Sequence, residues 1–333
     1  MPRTIELSHR TVIFTVLFLG LVWFLVQVAP IIVGLFIAIL LMAALNPSVE
    51  KLVHARVPRP LAILIVYLLL ITIVVLGLVW IIPPFVDQTT KLVNRLPFLV
   101  EQLGGWLESL GLAGVDESLL ESQISQIGTI PINLVRFTIS LFSNVIAVFS
   151  VLIITFYLLV ERRNLDRYLV VLFGNGGEKK AKLFVDRLEA RLGGWVRGEL
   201  ILMFIIGLLT YIGLRLLGIP FALPLAIIAG FLEIVPNIGP VISAIPAVIV
   251  ALTLSPVMAL ATAALYFLVQ QLENSIVVPK VMQKATGVNP LVTILSLAIG
   301  FHLAGPLGAI LAVPVVIVIH VLATEFIFPR ALG

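Results

Sequence analysis

Apolar runs dominate the chain and polar connectors separate them. Residues 11–45 are almost wholly apolar, interrupted by Gln27 and Pro30. A single helix over that run would reach about 52 Å against a hydrocarbon core of about 30 Å, so two linked spans with Pro30 opening the second are expected. The run 61–82 stops at Pro83-Pro84, 134–160 reads as one long span, and 200–217 and 257–278 as two more. Two further runs, 221–254 and 291–327, are apolar throughout but broken near the middle. The first breaks at Pro236-Asn237-Ile238-Gly239-Pro240 and the second at Gly300 to Gly305-Pro306. Prolines remove backbone donors and Asn and Gly favour turns, so each run predicts helix, break, helix. Irregular backbone survives at membrane depth only where protein buries it or a wet cavity receives it.

Two stretches carry an amphipathic period instead. In 85–132, Leu92, Leu96, Leu99, Leu103, Trp106 and Leu110 recur at three- and four-residue intervals, with Pro97 as a bend. This arm is expected to lie on the membrane surface or against a neighbouring subunit. In 161–197, Phe184, Leu188, Leu192 and Trp195 share one helical face opposite a basic one, suited to an anionic leaflet or to a coupling element. Gly174 to Gly177 lacks the spacing of a phosphate-binding loop and reads as a turn.

Composition settles the class. Hydrophobic residues make up 61% and charged residues 11%, where a soluble domain carries about a quarter charged. The expected fold is an all-α polytopic membrane protein of about eight membrane segments, one or two of them broken or re-entrant hairpins. Along the chain this divides into N-terminal membrane segments (1–84), an extracytoplasmic arm (85–133), a transmembrane helix (134–160), a cytoplasmic basic segment (161–197) and a core with both broken runs (198–333). The net charge of +4 reports orientation and not nucleic-acid binding. Lys and Arg concentrate in 46–60, 161–197 and 279–290, which places these connectors in the cytoplasm and the acidic arm outside. Both termini are then cytoplasmic, provided that 11–45, 221–254 and 291–327 each cross an even number of times. The absence of cysteine excludes disulfides, thiolate metal sites and a cysteine nucleophile. Neither a zinc-protease nor a serine-hydrolase motif is present, and nothing points to an enzyme or a cofactor.

Ionisable groups at membrane depth are costly, which makes them the candidates for a substrate or ion site. Glu233, three residues before the first break, comes first, and Asn237 would add an amide there. Gln270, Glu273 and Asn274 share a helical face, and His302 sits at the second break. The plainer readings are an interfacial carboxylate capped by turn amides, a polar face at a membrane boundary, and a packed histidine. Pro236, Gly239, Pro240, Gly305 and Pro306 form the breaks. The two broken runs also resemble each other, each pairing a Gly-Phe and a Gly-Pro with a later Pro flanked by Ala and Val, and they enter from opposite sides by charge. That is the arrangement of an inverted repeat, although Gly, Pro and Ala are common in any apolar membrane sequence.

The run Glu233-Ile234-Val235-Pro236-Asn237-Ile238-Gly239-Pro240, then Glu273-Asn274, Val278-Pro279-Lys280-Val281, Gly287 to Leu291 and Gly305-Pro306 to Val313-Pro314, resembles the signature of the autoinducer-2 exporter (AI-2E) family. The resemblance implies a prokaryotic inner-membrane permease, in a family described both as exporters of autoinducer-2 and as sodium(lithium)/proton antiporters. The expected function is a secondary transporter that moves a small polar solute or a monovalent cation, with sodium(lithium)/proton antiport as one mode. Its partners are the lipid bilayer, that solute or cation, and further copies as a homo-oligomer. The alternative is an oligomeric membrane scaffold that transports nothing.

Overall fold

The computed structural model describes residues 9–109, 145–164, 167–168, 177–236, 238–282 and 290–327. Every regular element among them is helical: α1 (His9–His54), α2 (Arg59–Ser109), α3 (Val145–Glu161), α4 (Glu178–Leu216), α5 (Ala222–Leu232), α6 (Ile238–Leu252), α7 (Pro256–Leu272), α8 (Val278–Met282) and α9 (Pro290–Leu322), with π-helical turns over Glu273–Val277 and Ala323–Ile327. Within the described residues, four stretches are long and apolar enough to cross a membrane: 13–54, 59–92, 178–216 and 291–325. Shorter apolar helices lie at 146–161, 222–232 and 238–252. The 110–133 part of the expected arm, the turn at 174–176 and the signature residues 287–289 lie outside the described residues.

Two proline expectations are corrected. Pro30 does not open a second span, for α1 runs unbroken over 46 residues. Pro83-Pro84 does not stop the next, for α2 runs unbroken over 51. Proline's fixed φ is itself helical, and it sacrifices one hydrogen bond, whereas breaking the helix in an apolar medium would strand several backbone groups. With α1 unbroken, the even crossing count that put the N-terminus in the cytoplasm loses its basis. Likewise residues 178–197 of the basic amphipathic segment and the span after it are one helix, α4.

α4 is the spine on which the rest packs. Its first half buries Phe184, Val185, Leu192 and Trp195 against Leu40 and Ala43 of α1 and against α9. Its second half buries Leu214 against the α5–α6 hairpin and Tyr266 of α7. A third cluster joins α1, α2 and α3 through Met42, Val49, Ile63, Val66 and Leu159. The turn after α4 is set locally. Gly218 takes a φ of 69°, and the amides of Gly218 and Ile219 donate to the carbonyls of Arg215 and Leu214 at 3.1 and 2.9 Å, which ends the helix in a Schellman motif. Ser255 starts α7, accepting from the Met258 amide at 3.1 Å with Pro256 in the first turn.

Both broken runs are helical hairpins. In α9 the helical backbone fails at Ala304 and Gly305, the latter at φ 60° and ψ −146°, a conformation open almost only to glycine. Gly300 and Gly308 then come face to face: a Cβ on either would overlap the other's carbonyl oxygen. Residues eight apart in a straight helix lie about 12 Å from one another, so this contact requires the two arms to fold back together.

Candidate functional site

The first hairpin is built by its sequence. α5 ends at Leu232, and the next three amides still find carbonyls: Glu233 donates to Ala229, Ile234 to Phe231 and Val235 to Leu232, at 3.2, 3.3 and 3.0 Å. Pro236 cannot donate, so the chain turns there and restarts as α6, with Pro240 in its first turn. Gly239 lets the restarting backbone lie against the end of α5, where a Cβ would overlap the Leu232 carbonyl oxygen. Gly239 and Pro240 are buried and Pro236 is half-buried. Asn237 lies outside the described residues. A second glycine contact seats the hairpin on α4: a Cβ at Gly230 would stand 2.6 Å from the Met203 carbonyl oxygen and 3.0 Å from the Gly207 Cα.

This seating carries Glu233 inside, where it is 1% exposed. Glu273, at the end of α7, comes to the same place at 3% exposure, its carboxyl beside that of Glu233. Two carboxyls so placed can hydrogen-bond only when one of them carries the proton and donates it. Gln270, one turn back on α7, donates from Nε2 to Glu273 Oε2 at 3.0 Å. Glu273 opens the π-helical turn, the kind of local distortion that re-aims side chains at functional sites.

A third carboxyl joins them that sequence reasoning missed. Glu199 of α4 is 3% exposed and close enough to both Glu233 and Glu273 to interact electrostatically with them. Neither of its carboxylate oxygens has a hydrogen-bond partner. The signal was available: Glu199 falls on the face of Leu192, Trp195, Leu202 and Ile206, in the short gap between the basic segment 161–197 and the apolar run 200–217. Among the described residues no Lys, Arg or His forms an ion pair with any of the three. Nor are any three His, Cys, Asp or Glu of the described residues grouped to hold a metal ion.

The other candidates fall elsewhere. Asn274 is exposed beside Glu273, and His302 is exposed on the first arm of α9, away from the buried carboxyls. Gly305 is half-buried and Pro306 exposed.

A second polar region lies at the other end of α4's buried stripe. Arg162 pairs with Glu189 and with Asp186, the latter at 2.6 Å, while Asn46 donates to Glu189 at 2.6 Å and accepts from Arg59 at 2.9 Å. Arg59 also pairs with Glu50 and donates to the Leu159 carbonyl at 2.7 Å. Burial works against the Arg162 guanidinium, but Glu189 and Asp186 more than offset it and hold its pKa above the ordinary arginine value. These groups border a cavity of about 590 Å³ between α1 and α4.

Apolar helices of membrane-crossing length around buried, unneutralised carboxyls define a polytopic membrane protein. Comparison with known proteins gives the family. The model of the AI-2E family transporters matches residues 12–327, so the chain belongs to that family. It is 30% identical over 312 residues to a Bacillus subtilis protein titled "Putative transport protein YueF", covering 89% of this chain and 84% of that one. "Putative transport protein YrrI" of the same bacterium is 28% identical over 90% of this chain and 87% of its own length. The AI-2 transport protein TqsA of Escherichia coli is 27% identical, over 88% and 84%. The protein is thus a bacterial membrane transporter by family.

Proposed function

We propose that this chain is a secondary transporter of the cytoplasmic membrane in which Glu233 and Glu273 alternately hold a proton and a small polar solute or monovalent cation, with sodium(lithium)/proton exchange as its mode. The carrying observation is the juxtaposition of two buried carboxyls that no basic side chain neutralises. A buried carboxylate left without a counter-charge is costly, so the pair keeps a proton or trades it for a cation, and either event requires the other ligand to leave. The name of TqsA makes AI-2 the polar solute to test first. The broken hairpins support a site at depth. α5 and α6 are about 16 and 22 Å long at 1.5 Å per residue, short of a full crossing, which favours re-entrant placement within about eight membrane segments. Backbone ends at such breaks are suited to receiving an ion.

The test is flux in sealed vesicles under imposed pH and sodium or lithium gradients, with AI-2 as an additional solute. Glu233→Gln and Glu273→Gln should each abolish exchange while the purified protein keeps its helical content and melting behaviour. Exchange at the unaltered rate in both variants would remove the pair from the mechanism. Single cysteines in the cysteine-free chain, labelled from either side, test the orientation that charge suggests, with 46–60 and 279–290 cytoplasmic.

A further inference from the structure

Above the carboxyls, α4 and α7 present hydroxyl groups that the described structure leaves without partners. Thr210 Oγ1, Thr262 Oγ1, Tyr266 Oη and Gln270 Oε1 are buried atoms with no hydrogen-bond partner. Thr262 is 0% exposed, Thr210 1% and Tyr266 7%. Their orientation is unusual for this protein. Thr90, Ser150, Thr155, Thr253 and Thr324 each turn the hydroxyl back onto a carbonyl of their own helix three or four residues earlier, at 2.7 to 2.9 Å. That is how helical hydroxyls satisfy themselves in an apolar surrounding. Thr210 and Thr262 do not.

The helix register aligns these groups. α4 and α7 run antiparallel: Glu199 lies near Glu273, and Gly213 abuts Leu265, whose side chain occupies the space a Cβ would need. Glu199 and Thr210 both lie on the buried stripe of α4, about three turns and 16 Å apart. Glu273 and Thr262 lie at the same spacing on the buried stripe of α7, with Tyr266 between them. The α5–α6 hairpin closes the side, packing Leu225, Ala229 and Ala247 around Tyr266. Polar atoms thus recur at about one-turn intervals from the carboxyls towards the Leu216 end of α4. Buried polar groups without protein partners are satisfied by internal water, which needs two to four polar neighbours of just this kind.

We infer that Gln270, Tyr266, Thr262 and Thr210 line a hydrated file that conducts protons between the carboxyl cluster and the membrane face at the Leu216 end of α4. At each transfer a water or hydroxyl oxygen accepts one proton and releases another, while Gln270 Oε1 only accepts a hydrogen bond and orients the water beside it. Hydronium at the mouth returns to water, and a carboxylate of the cluster becomes a carboxylic acid at the inner end. Tyrosinate is not required, because the phenol accepts on its oxygen as it donates its own hydrogen. The inference rests on the carboxyl pair as the proton-exchanging site, and it adds the route and the face from which protons arrive.

The test separates the two. Tyr266→Phe and Thr262→Val each remove a hydroxyl and little else; each should slow sodium-driven proton movement, read by a dye inside vesicles, about tenfold. Ser150→Ala, whose hydroxyl is spent on its own helix, should change nothing. Independently, a single cysteine at 210 or 262 should react with a water-soluble thiol reagent added from the Leu216 face. Inert cysteines, or unaltered proton movement in the double variant while Glu233→Gln is dead, overturn the file and leave the carboxyl site standing. Normal movement in Glu233→Gln overturns the carboxyl site. If the unaltered protein moves no protons under any gradient, the file conducts none and the inference falls, whatever the cysteines do.

Discussion

Two polar regions lie about 15 Å apart along α4, one around Glu189 and one around Glu199, and they treat the same side chain in opposite ways. Glu189 accepts from Arg162 and Asn46, and its neighbours Asp186 and Glu50 are paired as well. Glu199 has no hydrogen-bond partner on either oxygen, Glu233 Oε2 has none, and Glu273 has one amide, that of Gln270. A buried charge is tolerated when it is neutralised in place, and such a pair then has no reason to exchange its partner. A carboxyl cluster without a cation must be neutralised by something that arrives, a proton or a cation from solution. The first region therefore holds α1, α2, α3 and α4 together. The second is paid for in stability and returns it as the capacity to bind and release.

The largest effect should come from breaking the paired region. Arg162→Ala leaves the half-buried Glu189 and the exposed Asp186 without their guanidinium, and between the cost of breaking a fully buried pair and that of an exposed one a loss of about 2–4 kcal/mol is expected. The denaturation midpoint in detergent should fall accordingly, while exchange per folded molecule in vesicles is retained. An unchanged midpoint would mean that the network is ornamental and the contrast false. The opposite sign is expected in the other region. Glu199→Met removes a buried carboxyl that lacks partners and should stabilise the protein by about 1–3 kcal/mol, with loss of exchange. A destabilised Glu199→Met protein would show that Glu199 is satisfied after all.

How far this contrast could be read in advance depends on what pairs with what. The apolar runs announced the helices, the glycines and prolines announced both hairpins, and Glu233 and Glu273 stood out because charge is rare among their neighbours. Pro30 and Pro83-Pro84 misled because a helix in an apolar medium loses less by continuing than by breaking. Glu199 escaped notice for a related reason. It follows Arg197 by two residues, between a segment rich in Lys and Arg and the next apolar run, where a single acid carries no signal of depth. The partnering of charges comes from tertiary contacts: Arg162 reaches Asp186 and Glu189 of α4, 24 and 27 residues on, and Asn46 of α1 reaches Glu189 across 143 residues. His302 shows the converse, a titratable residue at a predicted break that the fold leaves on an exposed face.

Arg197 tests where the boundary between the two regions falls. It lies closest in sequence to Glu199, yet its guanidinium donates instead to the carbonyls of Ala43 and Ala44 on α1, at 3.2 and 2.9 Å. Pro47 explains the attraction: it has no N–H, so the Ala43 carbonyl has lost its helical donor. Gly193 brings the α4 backbone against that same carbonyl, where a Cβ would not fit. Arg197→Met should therefore cost about 1–1.5 kcal/mol, the smallest of these effects. In a Pro47→Ala background the restored N–H takes over the Ala43 carbonyl, and the loss on Arg197→Met should shrink by about 0.5–1 kcal/mol, a coupling that a double-mutant cycle on denaturation midpoints resolves. Equal losses in both backgrounds would detach Arg197 from the proline. Unchanged stability with altered exchange would instead assign Arg197 to the carboxyls, as a cation held in reserve two residues from Glu199, and would move the boundary between the paired and unpaired regions towards α1.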